Sequence, residues 1–272
     1  MDVDGGAMVS IDLSGETAVV TGVLGRLGRV WTWALMAAGA DVFGVDTAET
    51  CPDDEFTGGA GGRFRYHRTD VTDRSSVDRS LAACVEHTGG PSILVNNAGI
   101  DSPPVADKAS WLFRDIPDDL SGAILDVNAI GALRMCQAFG SAMADRGRGS
   151  IINIGSIYAG VAPAPQLYTH LPIDPPFLKA PAYGMSKAGV AALTRYLAVL
   201  WAPAGVRVNT LSPGGVRGGQ DARFREKYAD RVPMRRMAEA YELTGPLLFL
   251  ASPLSSYVTG HELVVDGGFT CW

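Results

Sequence analysis

Thr21-Gly22-Val23-Leu24-Gly25-Arg26-Leu27-Gly28 is the stretch that decides how this chain folds. Before it, Glu16 to Thr21 is a short apolar run with β-branched residues, set between Ser14-Gly15 and Gly22, and it reads as a buried parallel strand. After it, Arg29 to Ala38 reads as a helix closed by Gly39, and Asp41 to Asp46 as a second strand. Strand, glycine turn, helix and strand make the βαβ frame that holds a dinucleotide. Such a turn asks its glycines for different things. One turns the chain at the strand end, one lets backbone approach a pyrophosphate, and one lets helix and strand pack closely. The phosphates then meet the free N–H groups at the helix start. Gly22, Gly25, Arg26, Leu27 and Gly28 are therefore candidate cofactor contacts.

Asp46 ends the second strand. A carboxylate there accepts hydrogen bonds from both adenosine ribose hydroxyls and repels a 2′-phosphate, which favours NAD over NADP. Arg26, inside the turn, is placed to reach a phosphate and keeps NADP as the second choice. Residues 47 to 62 read as a long, glycine-rich surface connection. Phe64 to Arg68 is a third strand, followed by Asp70-Val71 where adenine can be touched, and Asp73 caps a helix to about Thr88. Ile93 to Asn96 is a fourth strand, and Asn96-Asn97-Ala98-Gly99 can tie neighbouring strands and hold a nucleotide ribose. A long helix from Pro117 to about Arg146 contains Asn128; a fifth strand, Gly149 to Ile154, ends in Gly155-Ser156. A helix from Tyr183 to about Ala202, a strand from Val206 to Leu211, a helix from Glu239 to Ala251 and a strand from Leu263 to Val265 complete the pattern. No linker divides the chain after a tail at residues 1–10 that is expected to be frayed. The fold expected is α/β: one doubly wound parallel sheet of about seven strands with helices on both faces.

The 272 residues carry a net charge of −6, with 47% hydrophobic and 19% charged residues and no basic block. That composition argues against nucleic acid or an anionic membrane as partner. No segment is long and apolar enough to span a membrane, and the N-terminus has no apolar core of a secretory signal. The four cysteines, Cys51, Cys84, Cys136 and Cys271, are scattered without a Cys-x-x-Cys pair, as are the four histidines. A reduced cytoplasmic setting and no metal site are expected.

Tyr183 and Lys187 stand one helical turn apart, on one face. A phenol normally titrates near ~10, and an ammonium beside it favours the phenolate, so the pair is expected to work as an acid/base near neutral pH. With these residues assembled in this order, nearly the whole chain, about 11 to 268, resembles the short-chain dehydrogenase/reductase family. The resemblance rests on Thr21-Gly22, Asp46, Asp70, Asn96-Asn97-Ala98-Gly99, Asn128, Ser156, Tyr183-x-x-x-Lys187, Pro213-Gly214 and Asp266-Gly267-Gly268. It implies a Rossmann-type domain and a homotetramer, with a dimer as alternative. It implies Tyr183 as catalytic acid/base and Lys187 as the group that lowers its pKa and holds the nicotinamide ribose. Ser156 would orient the substrate oxygen, and Asn128 would hold a water relaying protons to Lys187. Asp70, Val71, Asn97, Ala98, Gly99, Pro213, Gly214 and Val216 join the cofactor contacts.

The chain departs from the family pattern in three places. Glycines at 22, 25 and 28 have the spacing of the extended branch, which includes sugar-nucleotide epimerases and dehydratases. Tyr183 follows Ser156 by 27 positions, about twice the family's usual spacing. The added segment, about 160–182, leaves from Ser156 and returns to Tyr183, so it is expected to form a substrate-recognition lid. Gly218 stands where the family often has a threonine that contacts the nicotinamide carboxamide. Substrate contacts are expected from Ser156, Tyr158, Tyr168, His170, Tyr183 and Gly215. The reading is an NAD(H)-dependent oxidoreductase that interconverts a secondary alcohol and a ketone, the substrate a sugar, cyclitol or other polyhydroxylated compound. The alternatives are an epimerase or dehydratase, and a catalytically silent nucleotide-binding regulator.

Overall fold

The computed structural model describes residues 10–52, 62–101 and 111–272. The tail expected over residues 1–10 and the middle of the 47–62 connection lie almost entirely outside the described residues.

Seven strands form one parallel sheet: β1 (Thr17–Thr21), β2 (Asp41–Asp46), β3 (Phe64–Arg68), β4 (Ile93–Asn96), β5 (Gly149–Ile154), β6 (Val206–Pro213) and β7 (Glu262–Val265). Their order is β3-β2-β1-β4-β5-β6-β7, with every neighbouring pair parallel. Between them run α1 (Arg26–Ala37), α2 (Arg74–Thr88), α3 (Asp118–Leu125), α4 (Gly131–Met135), α5 (Ser141–Asp145), α6 (Pro181–Trp201), α7 (Ala222–Ala229) and α8 (Thr244–Ala251). The single long helix expected over 117–146 is a continuous helical run in which α3, α4 and α5 are joined by wider π turns at Asp126–Ile130 and Cys136–Gly140.

The inner strands β1, β2, β4, β5 and β6 are buried on both sides, and their alternate residues feed two cores. Ala18, Val20, Ile93, Val95, Ile152 and Ile154 pack against α1 and α8 through Trp31, Leu35, Leu247 and Leu250. Val19, Leu94 and Ile151 point the other way, onto Val77 of α2, Met135 and Phe139 of the long helical run, and Leu197 of α6. This is the two-sided burial that continuous apolar runs in a parallel sheet require. β1 lies between β2 and β4, so the order reverses there and leaves a crevice beyond the carboxyl ends of the strands.

Candidate active site

That crevice holds a cavity of about 730 Å³, within the range of small-molecule sites. The β1–α1 turn forms one wall. Gly22 has φ +63°, and a Cβ there would lie 2.9 Å from the Cα of Ala98, so the turn can approach the β4 end only with glycine. Gly22, Gly25, Arg26 and Leu27 line the cavity, but Gly28 does not. A Cβ on Gly28 would stand 2.2 Å from the Gly22 carbonyl oxygen, which assigns it to close packing of helix on strand and corrects its expected cofactor contact. Asp46 also lines the cavity. Its Oδ2 accepts from the Leu24 N–H at 3.0 Å and its Oδ1 from the Thr47 N–H at 2.8 Å, which fixes the carboxylate at the end of β2. Asp70, Val71, Asn97, Ala98, Gly99, Pro213, Gly214 and Val216 also line it.

Arg26 does not aim at a phosphate. Its Nη1 donates to the carbonyls of Arg217 at 2.8 Å and Val216 at 3.3 Å, so the guanidinium ties the glycine turn to the loop after β6. A Cβ on Gly218 would stand 2.0 Å from that Nη1. Two departures noted in the sequence therefore have one cause: the Arg26 guanidinium fills the space that a side chain at 218 would need.

The β4 end is a polar junction. Thr21 Oγ1 accepts from the N–H groups of Asn97 and Ala98, both at 2.9 Å, and Asn97 Nδ2 donates to the Thr21 and Gly22 carbonyls. Asn97 Oδ1 in turn accepts from the buried Trp31 indole at 2.8 Å. Asn128 lies in the first π turn, and its side chain is occupied by protein: Oδ1 accepts from the Ile100 N–H at 2.8 Å, and Nδ2 donates to the Ile100 carbonyl and to Ser186 Oγ. These bonds fix the start of the segment after Gly99 against the π turn.

Ser156, Tyr183 and Lys187 converge where β5 ends. Ser156 caps a short 3₁₀ turn, its Oγ accepting from the Tyr158 N–H at 3.2 Å. Lys187 is buried and donates to the Ile154 carbonyl at 2.8 Å. The expected direction of the Tyr183 pKa is reversed. Burial pushes the phenol up to about 12, the Asp101 charge adds to this, and a hydrogen bond from Ser156 opposes it. Burial also brings Lys187 down to about 8. The ammonium lies 5.8 Å from the Tyr183 ring centre and is spent on a carbonyl, so loss of solvent outweighs its pull.

A second cavity, of about 790 Å³, shares Ser156, Tyr183, Gly214, Arg26, Asp101 and Gln220 with the first. Tyr158, Tyr168, His170 and Gly215, the remaining expected substrate contacts, line it. The segment 160–182 does reach the site. It packs Leu167, Tyr168 and Phe177 onto Tyr228 of α7 and onto Phe269. The rings of Tyr168 and Phe224 are 5.5 Å apart, and Lys227 Nζ donates to the Gln166 carbonyl and to Thr169.

A family model described as short chain dehydrogenase matches residues 16–170, and one described as enoyl-(acyl carrier protein) reductase matches 174–270. The chain belongs to the short chain dehydrogenase family. Galactitol 2-dehydrogenase (L-tagatose-forming) of Cereibacter sphaeroides is 36% identical over 96% of this chain and 97% of that protein. Cis-4-hydroxycyclohexanecarboxylate dehydrogenase of Sinomonas cyclohexanicum is 36% identical over 94% and 96%. The crystal structure of a short chain dehydrogenase from Leptospira borgpetersenii serovar Hardjo-bovis with bound NAD+ superposes with a TM-score of 0.83, at 30% identity, covering 95% of this chain and 94% of that one. The chain is an NAD(P)-dependent oxidoreductase that interconverts a secondary alcohol and a ketone.

Several residues at the short chain dehydrogenase site escape sequence reasoning. Asp101, Gln220, Phe224 and Tyr228 line the second cavity, and no motif marks them. Phe224 and Tyr228 sit one turn apart on α7, a helix that was not expected because glycines at 214, 215, 218 and 219 make its approach read as loop. Their i, i+4 aromatic spacing is the signal that was present.

Proposed function

We propose that the protein is an NAD(H)-dependent dehydrogenase that interconverts a secondary alcohol and a ketone on a polyhydroxylated compound. One observation carries this reading: two cavities meet, and Ser156 and Tyr183 are among the residues that line both. The residues of the first cavity suit a dinucleotide. The turn at Gly22 brings backbone to the cleft, the start of α1 offers unpaired N–H groups to a pyrophosphate, and Asp46 offers a fixed carboxylate to a ribose diol. That carboxylate repels a 2′-phosphate, and Arg26 is held on loop carbonyls, so NAD is preferred over NADP. Bound there, nicotinamide takes up or returns the hydride.

The chain's own part is to position the substrate and move the proton. Ser156 Oγ and the Tyr183 hydroxyl hold the substrate oxygen between them. In reduction the phenol donates its proton to the nascent alkoxide; in oxidation the phenolate removes the alcohol proton. Lys187 stays protonated at neutral pH, its pKa being about 8. The names of the relatives favour a dehydrogenase over the epimerase or dehydratase that glycine spacing suggested. Oxidation of polyols with NAD+, followed by NADH absorbance, is the test. No turnover with any secondary alcohol would overturn the proposal, and tighter binding of NADPH than NADH would overturn its cofactor half.

Self-association as a homotetramer belongs to the same proposal. Tyr196 and Val199, 70% and 80% exposed, put apolar surface on the outer side of α6 and support it. A monomer in multi-angle light scattering would refute it.

A further inference from the structure

The second cavity has a charge pattern that the reaction itself does not demand. Lys179, contributed by the 160–182 segment, forms a close ion pair with Asp101, and its side chain is 9% exposed. The ammonium lies 4.9 Å from the Tyr183 ring centre and 5.7 Å from that of Tyr158. The pair therefore sits next to the junction where the reacting carbon must lie. Further along, His170 is buried and its Nε2 is 3.3 Å from Asp221 Oδ1, in ion-pair range, yet neither ring nitrogen makes an aligned hydrogen bond. This imidazole lines the cavity and keeps hydrogen-bonding capacity toward it. Tyr158, Tyr168, Phe224 and Tyr228 supply apolar faces between these polar groups.

We propose that Lys179 and Asp101 together read a hydroxyl beside the reacting carbon, so that the pocket selects uncharged polyols over hydroxy acids. This rests on the dehydrogenase reading above. A hydroxyl donates and accepts at once, and a lysine–carboxylate pair offers both partners side by side. A substrate carboxylate only accepts. It would have to lie against the Asp101 charge and find a cation not already engaged. Among the described residues lining this cavity, the fixed cations are Arg26 and Lys179. Arg26 is committed to the Val216 and Arg217 carbonyls and Lys179 to Asp101, while the His170 imidazole faces Asp221. Among the described lining residues the two carboxylates, Asp101 and Asp221, balance the two fixed cations, so these side chains exert no net pull on an anion. Burying an uncompensated carboxylate here is unfavourable, whereas a polyol finds both donors and acceptors.

The test is kcat/KM with NAD+ for three groups of substrates: tetritols, pentitols and hexitols; hydroxy acids including cis-4-hydroxycyclohexanecarboxylate; and cyclohexanol, which has no second hydroxyl. The best polyol is expected to exceed both the best hydroxy acid and cyclohexanol by about tenfold or more. Asp101→Asn frees the Lys179 charge. It should lower the polyol value about tenfold and raise the hydroxy-acid value, whereas Lys179→Met should lower both and the hydroxy acid more. These opposite movements of the polyol-to-acid ratio are a signature that misfolding cannot give, and NADH binding by both variants verifies the cofactor site. A hydroxy acid as best substrate of the unaltered enzyme overturns the proposal. So does cyclohexanol matching the polyols, or a ratio that moves the same way, or less than twofold, in both variants. Each of these results leaves the dehydrogenase reading standing, whereas the absence of NADH formation from every alcohol removes both.

Discussion

At the scale of single residues, motif and environment pull in different directions. Tyr183 and Lys187 were legible because their spacing fixes a shared helical face. Their pKa values were not, because burial depends on what the rest of the chain brings over them. Loss of solvent dominates both groups and takes the phenol to about 12 and the ammonium to about 8. In the cofactor-free protein, the difference in phenolate absorbance between the wild type and Tyr183→Phe should therefore show no ionisation of this residue up to pH 10. A Tyr183 titration midpoint below 9 would contradict that. Under saturating cofactor, Tyr183→Phe should lower turnover on the order of 10²–10⁴-fold, the usual worth of a positioned acid/base, with NADH affinity unchanged. Arg26 and Gly218 give a different kind of residue-scale lesson. Each looked like a separate departure from the family pattern, and only coordinates join them, with the guanidinium 2.0 Å from where a Cβ at 218 would be. Gly218→Thr should raise the KM for NAD+ about tenfold by dislodging Arg26. Adding Arg26→Gly should recover part of that loss, a coupling in the usual range of ~0.5–3 kcal/mol for contacting residues. Additive effects in the double-mutant cycle would break the link between the two positions.

At the scale of elements, strand positions were readable and helix details less so. β2, β3, β4 and β5 fall where they were expected; for β2, β4 and β5 two-sided burial makes a short, mostly apolar run between turn residues, whereas β3, at the sheet edge, alternates aromatic and basic residues. The long helical run reads as one helix, because a π turn changes its winding without changing its composition. The 160–182 segment was legible as an insertion over the site, since both its ends are site residues. Its partner was not, because α7 comes from a charged stretch, Ala222–Ala229, whose only apolar signal is Phe224 and Tyr228. The two elements form one aromatic unit: Tyr168 lies 4.7 Å from Phe177 and 5.5 Å from Phe224, and Tyr228 lies 5.1 Å from Phe269. Tyr168→Ala should loosen this unit without touching the nucleotide cleft. The expected result is a severalfold rise in KM for the alcohol at unchanged KM for NAD+, with faster proteolysis within 160–180. If instead the KM for NAD+ rises as much as that for the alcohol, the unit is not confined to the substrate cavity.

At the scale of the whole molecule, the acid-side and alkaline-side behaviour differ because the fold buries weak acids in their neutral form. Tyr66, Tyr158, Tyr168, Tyr183 and Tyr228 are all pushed up by burial, as are the thiols of Cys84, to about 11, and Cys136, to about 12. In the unfolded chain these phenols ionise near ~10 and the thiols near ~8.5. A group whose pKa is higher in the folded state contributes stability that is fully present below its unfolded value. That contribution fades as pH rises through the window between the two values, where the unfolded chain releases the proton and the folded one keeps it. Lys187 works the other way: its folded value of about 8 lies below the unfolded ~10.4, so between these the unfolded chain holds more protons and stability grows with pH. One lysine acts against seven weak acids. The melting temperature should therefore change little between pH 7 and 9, where the lysine and the first thiol ionisations offset each other. Above pH 10, where the phenols join, it should fall steeply. Tyr196, Tyr241 and Tyr257 are exposed, so total phenolate absorbance does not follow the buried rings. Calorimetric melts at half-unit steps from pH 7 to 11 follow them through stability instead, and a melting temperature that holds steady or rises above pH 10 would mean that the rings are less protected than their burial implies.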